Sequence, residues 1–233
     1  AFKRAMSQIG PVKIESGKYS MVIESEVASR LVTPVLNALG GYSLQQKNSF
    51  MLDSLGKKMF PEWLNIWDRP VSVGETGSRL FDSEGVATAE MPIVENGVVK
   101  EYFVNTYMSR KMGVEATVED ATRPVVLPCF APSVAEPVEA TCGKEELMRI
   151  VGEGILVTGF NGGNSNSATG DFSFGVEGFL FKDGKIVHPV REMLITGNLL
   201  TLWNNLLAAG NDARFCKSKL IPTLAFGNVD FSA

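Results

Sequence analysis

Apolar residues in this chain recur in some stretches with a period of two and in others every three to four positions, and the two rhythms mark out its elements. From Asp171 the alternation is regular: Phe172, Phe174 and Val176 fall on one face, and Asp171, Ser173 and Glu177 on the other. That pattern predicts a half-buried strand. Ahead of it, residues 159–170 are rich in glycine and asparagine and poor in apolar groups. They predict a loop whose composition serves a special backbone path or a ligand. Two further pairs of apolar runs are joined by turn dipeptides: residues 92–95 and 98–103 flank Asn96-Gly97, and residues 176–182 and 185–190 flank Asp183-Gly184. Both predict hairpins, because a two-residue connection needs positive φ at each position.

The longer period appears at Val27, Leu31, Val35 and Leu39, directly after the apolar run Met21-Val22-Ile23. A strand entering a helix follows, ended by Gly40-Gly41. Pro34 either kinks that helix or restarts it with Thr33 as cap. Leu199, Leu202, Trp203, Leu206 and Leu207 predict a helix over Asn198–Ala209, capped by Asn198 and closed by Gly210. A shorter helix over Lys144–Val151 buries Leu147, Ile150 and Val151. Residues 120–141 carry four prolines and predict an irregular extended crossing, and Thr223–Phe226, continuing to Phe231, the last strand. Hairpins with few helices indicate the α+β class: mainly antiparallel β-sheet, sandwich or barrel-like, with a few short packing helices, as a single domain over 1–233.

Composition narrows the function. A chain of 233 residues, 45% hydrophobic, can bury a large core. A net charge of -4 lacks the basic footprint of a nucleic-acid surface, and no apolar run is long enough to cross a bilayer. Neither nucleic acid nor membrane is therefore expected as a partner. Cys129, Cys142 and Cys216 form no Cys-x-x-Cys pair and cannot all pair within the chain, which points to reduced thiols and a cytoplasmic location.

Candidate chemistry is sparse. The 159–170 segment has no Gly-Lys-Ser/Thr and precedes a strand, so it is no phosphate loop. A tight structural turn is one reading of it, and backbone lining of a peptide groove the other. His188 is the one histidine and brings no second metal ligand with it. There is no Gly-x-Ser-x-Gly elbow. Carboxylates gather at Glu24 and Glu26, at Asp82 and Glu84, and at Asp171, where they could do acid/base work or hold a hard cation. Asp82-Ser-Glu84-Gly85 reads more simply as a turn with Asx hydrogen bonds.

Several stretches, in order, resemble the C-terminal half of the TldD/PmbA family, named for modulation of DNA gyrase and for peptide maturation. They are Phe81-Asp-Ser-Glu-Gly85, Glu95-Asn-Gly-Val98, Thr106-Tyr-Met-Ser-Arg-Lys-Met-Gly113 and Gly154-Ile-Leu-Val-Thr158, then Thr169-Gly-Asp-Phe-Ser173, Gly178-Phe-Leu180, Gly197-Asn-Leu199 and Gly210-Asn-Asp212. The resemblance implies a metallopeptidase family, with residues 1–16 as a linker remnant from an N-terminal domain outside this chain. It also implies two subunit types, of which one carries zinc on His-Glu-x-x-x-His with a cysteine as third ligand. Here the corresponding positions are Ser25, Glu26 and Arg30, and Cys216 lies near the third ligand's region. The chain is thereby similar to the PmbA/TldE type, without catalytic or metal residues of its own. It is expected to need no cofactor itself, zinc being carried by a TldD-type homologue with which it forms a heterodimer. Pairing with itself as a homodimer is the other option. The substrate implied is an unfolded or modified peptide, and the wall of its channel is expected at Asn161, Gly163, Asn164, Asp171 and Ser173. Two alternatives stand beside this one: a metallopeptidase acting without a partner, and a self-associating peptide-binding module.

Overall fold

The computed structural model describes residues 2–134 and 142–233. In chain order the elements are α1 (Phe2–Ser7), β1 (Gly17–Ile23), α2 (Ser29–Ala38), α3 (Gly41–Gln45), β2 (Ile66–Asp68), β3 (Met91–Glu95), β4 (Val98–Val99), α4 (Thr106–Met112), β5 (Pro124–Val126) and β6 (Cys129–Phe130). Then follow α5 (Lys144–Val151), β7 (Glu153–Ser165), β8 (Asp171–Lys182), β9 (Lys185–Asn198), α6 (Leu199–Asn204), β10 (Leu206–Ala209) and β11 (Leu224–Ser232).

Strands β1, β7, β8, β9 and β11 pair in that order, and β11 returns to β1, so five strands form a closed, barrel-like ring. Closure removes free edges that would otherwise template aggregation. Strand β11 makes it possible by splitting one of its edges: Asp230–Ser232 pairs with β9, while Leu224–Phe226 pairs with β10, which in turn carries β6. A smaller sheet, β4-β3-β2-β5, is hydrogen-bonded separately, and its Ile66, Ile93, Val94, Val99 and Val126 join the same main core as the ring. The class is α+β, as read from the chain.

Burial follows the two-residue period. On β1, Met21 and Ile23 join the main core with Leu31, Val32 and Val35 of α2, whereas Val22 faces a second core with Leu147 and Met148 of α5. Both faces of the strand are covered, hence its unbroken apolar run. Trp203 anchors the main core: it is fully buried, edge-on to Phe60 and Phe226, and its Nε1 donates to the Leu31 carbonyl at 3.4 Å.

Both hairpin turns form as expected, with Asn96, Gly97, Asp183 and Gly184 all at positive φ, although the arm foreseen over 98–103 is strand only at Val98–Val99. The β1–α2 unit and α5 match the periodic patterns, and α2 runs through Pro34 from Ser29, while Thr33 Oγ1 donates back to the Ser29 carbonyl. Three expectations need correction. The helix foreseen over Asn198–Ala209 stops at Asn204, because buried Leu206, Ala208 and Ala209 gain cross-strand bonds to β11 and β6. The foreseen loop at 159–170 is largely strand: β7 continues to Ser165, and the turn is confined to residues 166–170. Residues 120–134 hold the short strands β5 and β6 rather than irregular chain throughout, and 135–141 lie outside the described residues. One pairing, β1 with β7, is parallel within the mainly antiparallel sheet.

Candidate functional site

Strand β1 delivers Glu24 to the rim of the ring, where its N–H donates to the Val157 carbonyl at 3.1 Å. The chain then turns at once: Val27 and Ala28 N–H both return to the Glu24 carbonyl, and α2 begins at Ser29. Ser25 and Glu26 therefore sit on a helical turn facing an open cleft of about 730 Å³. Arg30, one turn on, faces a different groove of about 650 Å³.

In the first cleft Glu24 and Glu26 are each claimed by two cations. Glu26 accepts from Arg4 at 2.7 Å and pairs with Arg214 at 2.9 Å; Glu24 takes Arg4 at 3.0 Å and Lys144 at 2.8 Å. The hydrogen bond from Arg4, helped by the nearby positive charges, holds the Glu26 carboxyl below its usual range against the opposing effect of burial. Such a carboxylate is a weakened proton acceptor. His188 lines the same cleft, with its Nδ1 at 3.4 Å from the Pro189 carbonyl, and Cys216 is exposed. Ser25, Glu26 and Arg30 do not make a zinc donor set, since a guanidinium is always protonated and offers no lone pair. Among the described residues no three His, Cys, Asp or Glu side chains gather so as to hold a metal.

The second groove lies where β1 has ended. Beyond Val157, β7 keeps β8 along one edge and faces α2 across the groove, which Ser29, Arg30, Thr33, Phe50, Gly163 and Asn164 help to line. The strand takes up one extra residue here: register passes from Phe160↔Val176 to Gly163↔Phe174, so that Asn161 and Gly162 stand against Gly175 alone. Such a bulge twists the strand. Gly163 has φ 84°, and a Cβ there would strike the Ser173 carbonyl, so no other residue fits without strain. Arg30 Nη2 donates to the Gly163 carbonyl at 2.7 Å, with its guanidinium 5.0 Å from the Phe174 ring centroid.

The structure thus brings together Arg30, Gly163 and Asn164 from the residues singled out in the chain. Ser25 and Glu26 fall in the other cleft. Asn161 turns to Glu177 at 3.3 Å, and Ser173 is exposed on β8 opposite Asn164. Asp171 holds the turn that supports the groove: its Oδ2 accepts from Thr169 Oγ1 at 2.7 Å and its Oδ1 from Asn198 Nδ2 at 3.0 Å. Those two bonds, Asn198 first, hold its carboxyl below the ordinary aspartate value. Phe50 was not foreseen. It reaches the groove because its N–H donates to the Ser167 carbonyl at 2.9 Å, a contact across more than a hundred residues that no local pattern announces.

The frame is a closed β-ring whose first strand leads directly into a helix, with Ser25, Glu26 and Arg30 at that junction. The family model described as the PmbA/TldA metallopeptidase C-terminal domain matches residues 16–233, and the chain belongs to that family. Its relatives include the metalloprotease PmbA of Escherichia coli O157:H7, 32% identical over 95% of this chain and 48% of that protein. The PmbA homologue of Haemophilus influenzae is 35% identical over 90% of this chain and 45% of its own length. A Bacteroides thetaiotaomicron structure, described as a candidate modulator of DNA gyrase, is similar at a TM-score of 0.92 and 45% identity, over 100% of this chain and 51% of its own. The chain spans about half the length of these relatives. No helix among the described residues is long and apolar enough to cross a membrane.

Proposed function

We propose that this chain is the non-cutting member of a cytoplasmic zinc peptidase built from two homologous subunits. A zinc-bearing TldD-type homologue performs hydrolysis, and this chain contributes a wall that holds the substrate extended. The observation that carries the reading is Arg30. At the position of the second zinc-binding imidazole stands a guanidinium committed to the Gly163 carbonyl and the Phe174 ring. Beside it, the stretch of β7 past β1 presents main-chain groups across the groove to α2. An extended peptide adds to such an edge through its backbone, whatever its side chains, which suits unfolded or modified peptides.

The test uses the full-length protein, alone and with a zinc-bearing homologue, measuring zinc per chain and cleavage of an unfolded peptide. The expected result is no stoichiometric zinc and no cleavage by the protein alone, and co-purification with the homologue as an active complex. Stoichiometric zinc with hydrolysis in the absence of any partner overturns the proposal.

A further inference from the structure

A third cavity, far from both the charged cleft and the peptide groove in its lining residues, has a different chemistry. It measures about 600 Å³ and lies between α3, the loop at 52–55 and the segment 101–117. That volume is in the range of small-molecule sites. Leu44, Leu52, Val104 and Val114 give it apolar walls, and Leu52, Leu55 and Val114 are 40%, 51% and 44% exposed, so a ligand would cover them.

The walls are fixed in advance. Tyr102 Oη accepts from the Ser54 and Leu55 N–H groups at 2.7 and 3.0 Å and donates to the Met51 carbonyl at 3.1 Å, pinning the 51–55 loop. Thr117 Oγ1 donates to the Tyr102 carbonyl at 2.6 Å and accepts from Val104 N–H at 2.9 Å. Those polar atoms are spent on structure. What remains is acid: Glu101, Glu115 and Asp53 line the cavity, and among the described residues no Lys, Arg or His does. The contrast with Glu24 and Glu26, each held by two cations, is direct. Glu101 Oε1 accepts from the adjacent Tyr102 N–H at 3.1 Å, the neighbouring Lys100 is paired with Glu95 at 3.2 Å, and none of the three acids is ion-paired among the described residues.

We propose that this cavity binds an amphipathic cation, an alkyl or aryl group carrying an ammonium or guanidinium, with the apolar part against Leu52 and Val114 and the cation between Glu101 and Glu115. A donor-bearing cation complements Glu101, which is half-buried, and the exposed Glu115, while its apolar part covers the exposed apolar walls beside them. Burial, with the Glu115 charge, pushes the Glu101 carboxyl above the ordinary glutamate value. A bound cation favours the ionised form, so binding weakens as the pH falls through that raised value; Glu115 and Asp53 are the other titrating groups facing the ligand.

The experiment is calorimetric titration of the full-length protein with phenethylammonium and with its neutral counterpart 2-phenylethanol. The ammonium is expected to bind saturably and about tenfold or more tighter than the alcohol. The double variant Glu101→Gln/Glu115→Gln is expected to lose that preference with an unchanged melting temperature, while Glu26→Gln, in the separate cleft, retains it. Equal binding of ammonium and alcohol, or a double variant that folds and still prefers the ammonium, overturns the proposal. So does the absence of saturable binding. None of these outcomes depends on zinc or on peptide cleavage.

Discussion

Replacing Asn198 separates two jobs that the structure gives to one side chain. Its Oδ1 accepts from Leu200 N–H at 3.0 Å and caps α6; its Nδ2 donates to the Thr169 carbonyl at 2.8 Å and to Asp171 Oδ1 at 3.0 Å, clamping the turn that ends the groove wall. Loss of the cap costs about 1 kcal/mol, and loss of the bond to the Thr169 carbonyl adds roughly another 0.5–1.5 kcal/mol. The bond to Asp171, open to solvent, is left out of that sum. Asn198→Ala is therefore expected to destabilise by about 2 kcal/mol, a fall in melting temperature of roughly 4–8 °C for a domain of this size. Asn198→Ser keeps the cap alone and is expected to fall between the wild type and Asn198→Ala. Asn198→Asp also keeps the cap but sets a carboxylate against Asp171, and should be less stable than Asn198→Ser near neutral pH. The pH dependence has a definite sign. The Asp171 carboxyl is depressed in the folded state, so its contribution is present above the unfolded value and lost as pH falls through the folded one, below about pH 4. The gap between wild type and Asn198→Ala should narrow there. Urea unfolding of the four proteins at pH 7 and pH 3.5 measures all of this. Asn198→Asp matching wild type at pH 7 would refute the turn-clamp reasoning, whatever happens to the cap.

Two further outcomes follow from local geometry. Gly163→Ala places a Cβ against the Ser173 carbonyl at φ 84°, so it is expected to cost at least about 1–2 kcal/mol in urea unfolding. It should also weaken peptide binding, because the Gly163 carbonyl can no longer hold its place before Arg30. For the thiols, burial pushes Cys129 up to about 12 and Cys142 up to about 11, while Cys216 is exposed. Iodoacetamide at pH 8, read by intact mass, should add one label to the native protein and three after unfolding.

Much of the fold was legible where one residue type is forced by local backbone. Asn96-Gly97 and Asp183-Gly184 revealed their hairpins because both positions of each turn sit at positive φ. Helix α5 was legible from its own apolar stripe. By contrast, Leu206–Ala209 fits a helix and a strand equally well, and what decides is the edge of β11, some fifteen residues further on. The closure of the ring pairs Gly17 with Phe231, which no local rhythm can announce. The site divides in the same way. The family series singled out Ser25, Glu26 and Arg30, whereas the use the fold makes of Arg30 was not legible. That use depends on Gly163, Phe174 and Phe50 arriving from distant segments. The glycines of 159–165 suggested a loop, and the structure employs them for a bulged strand.

That bulged strand raises a physical difficulty, which Arg30 helps to resolve. A run of β7 left without β1 beside it is a template for uncontrolled strand addition. Here the bulge at Asn161 and Gly162 twists it, α2 stands opposite it, and a cation is fixed on one of its carbonyls. A flat partner strand from a second copy would have to displace that arginine and match a broken register. A single flexible peptide can follow the bulge and settle between α2 and β7 with no register of its own to preserve. The features that discourage edge-to-edge self-pairing are thus compatible with a transient extended ligand. They account together for the contact that Arg30 makes with the strand and for a glycine at Gly163.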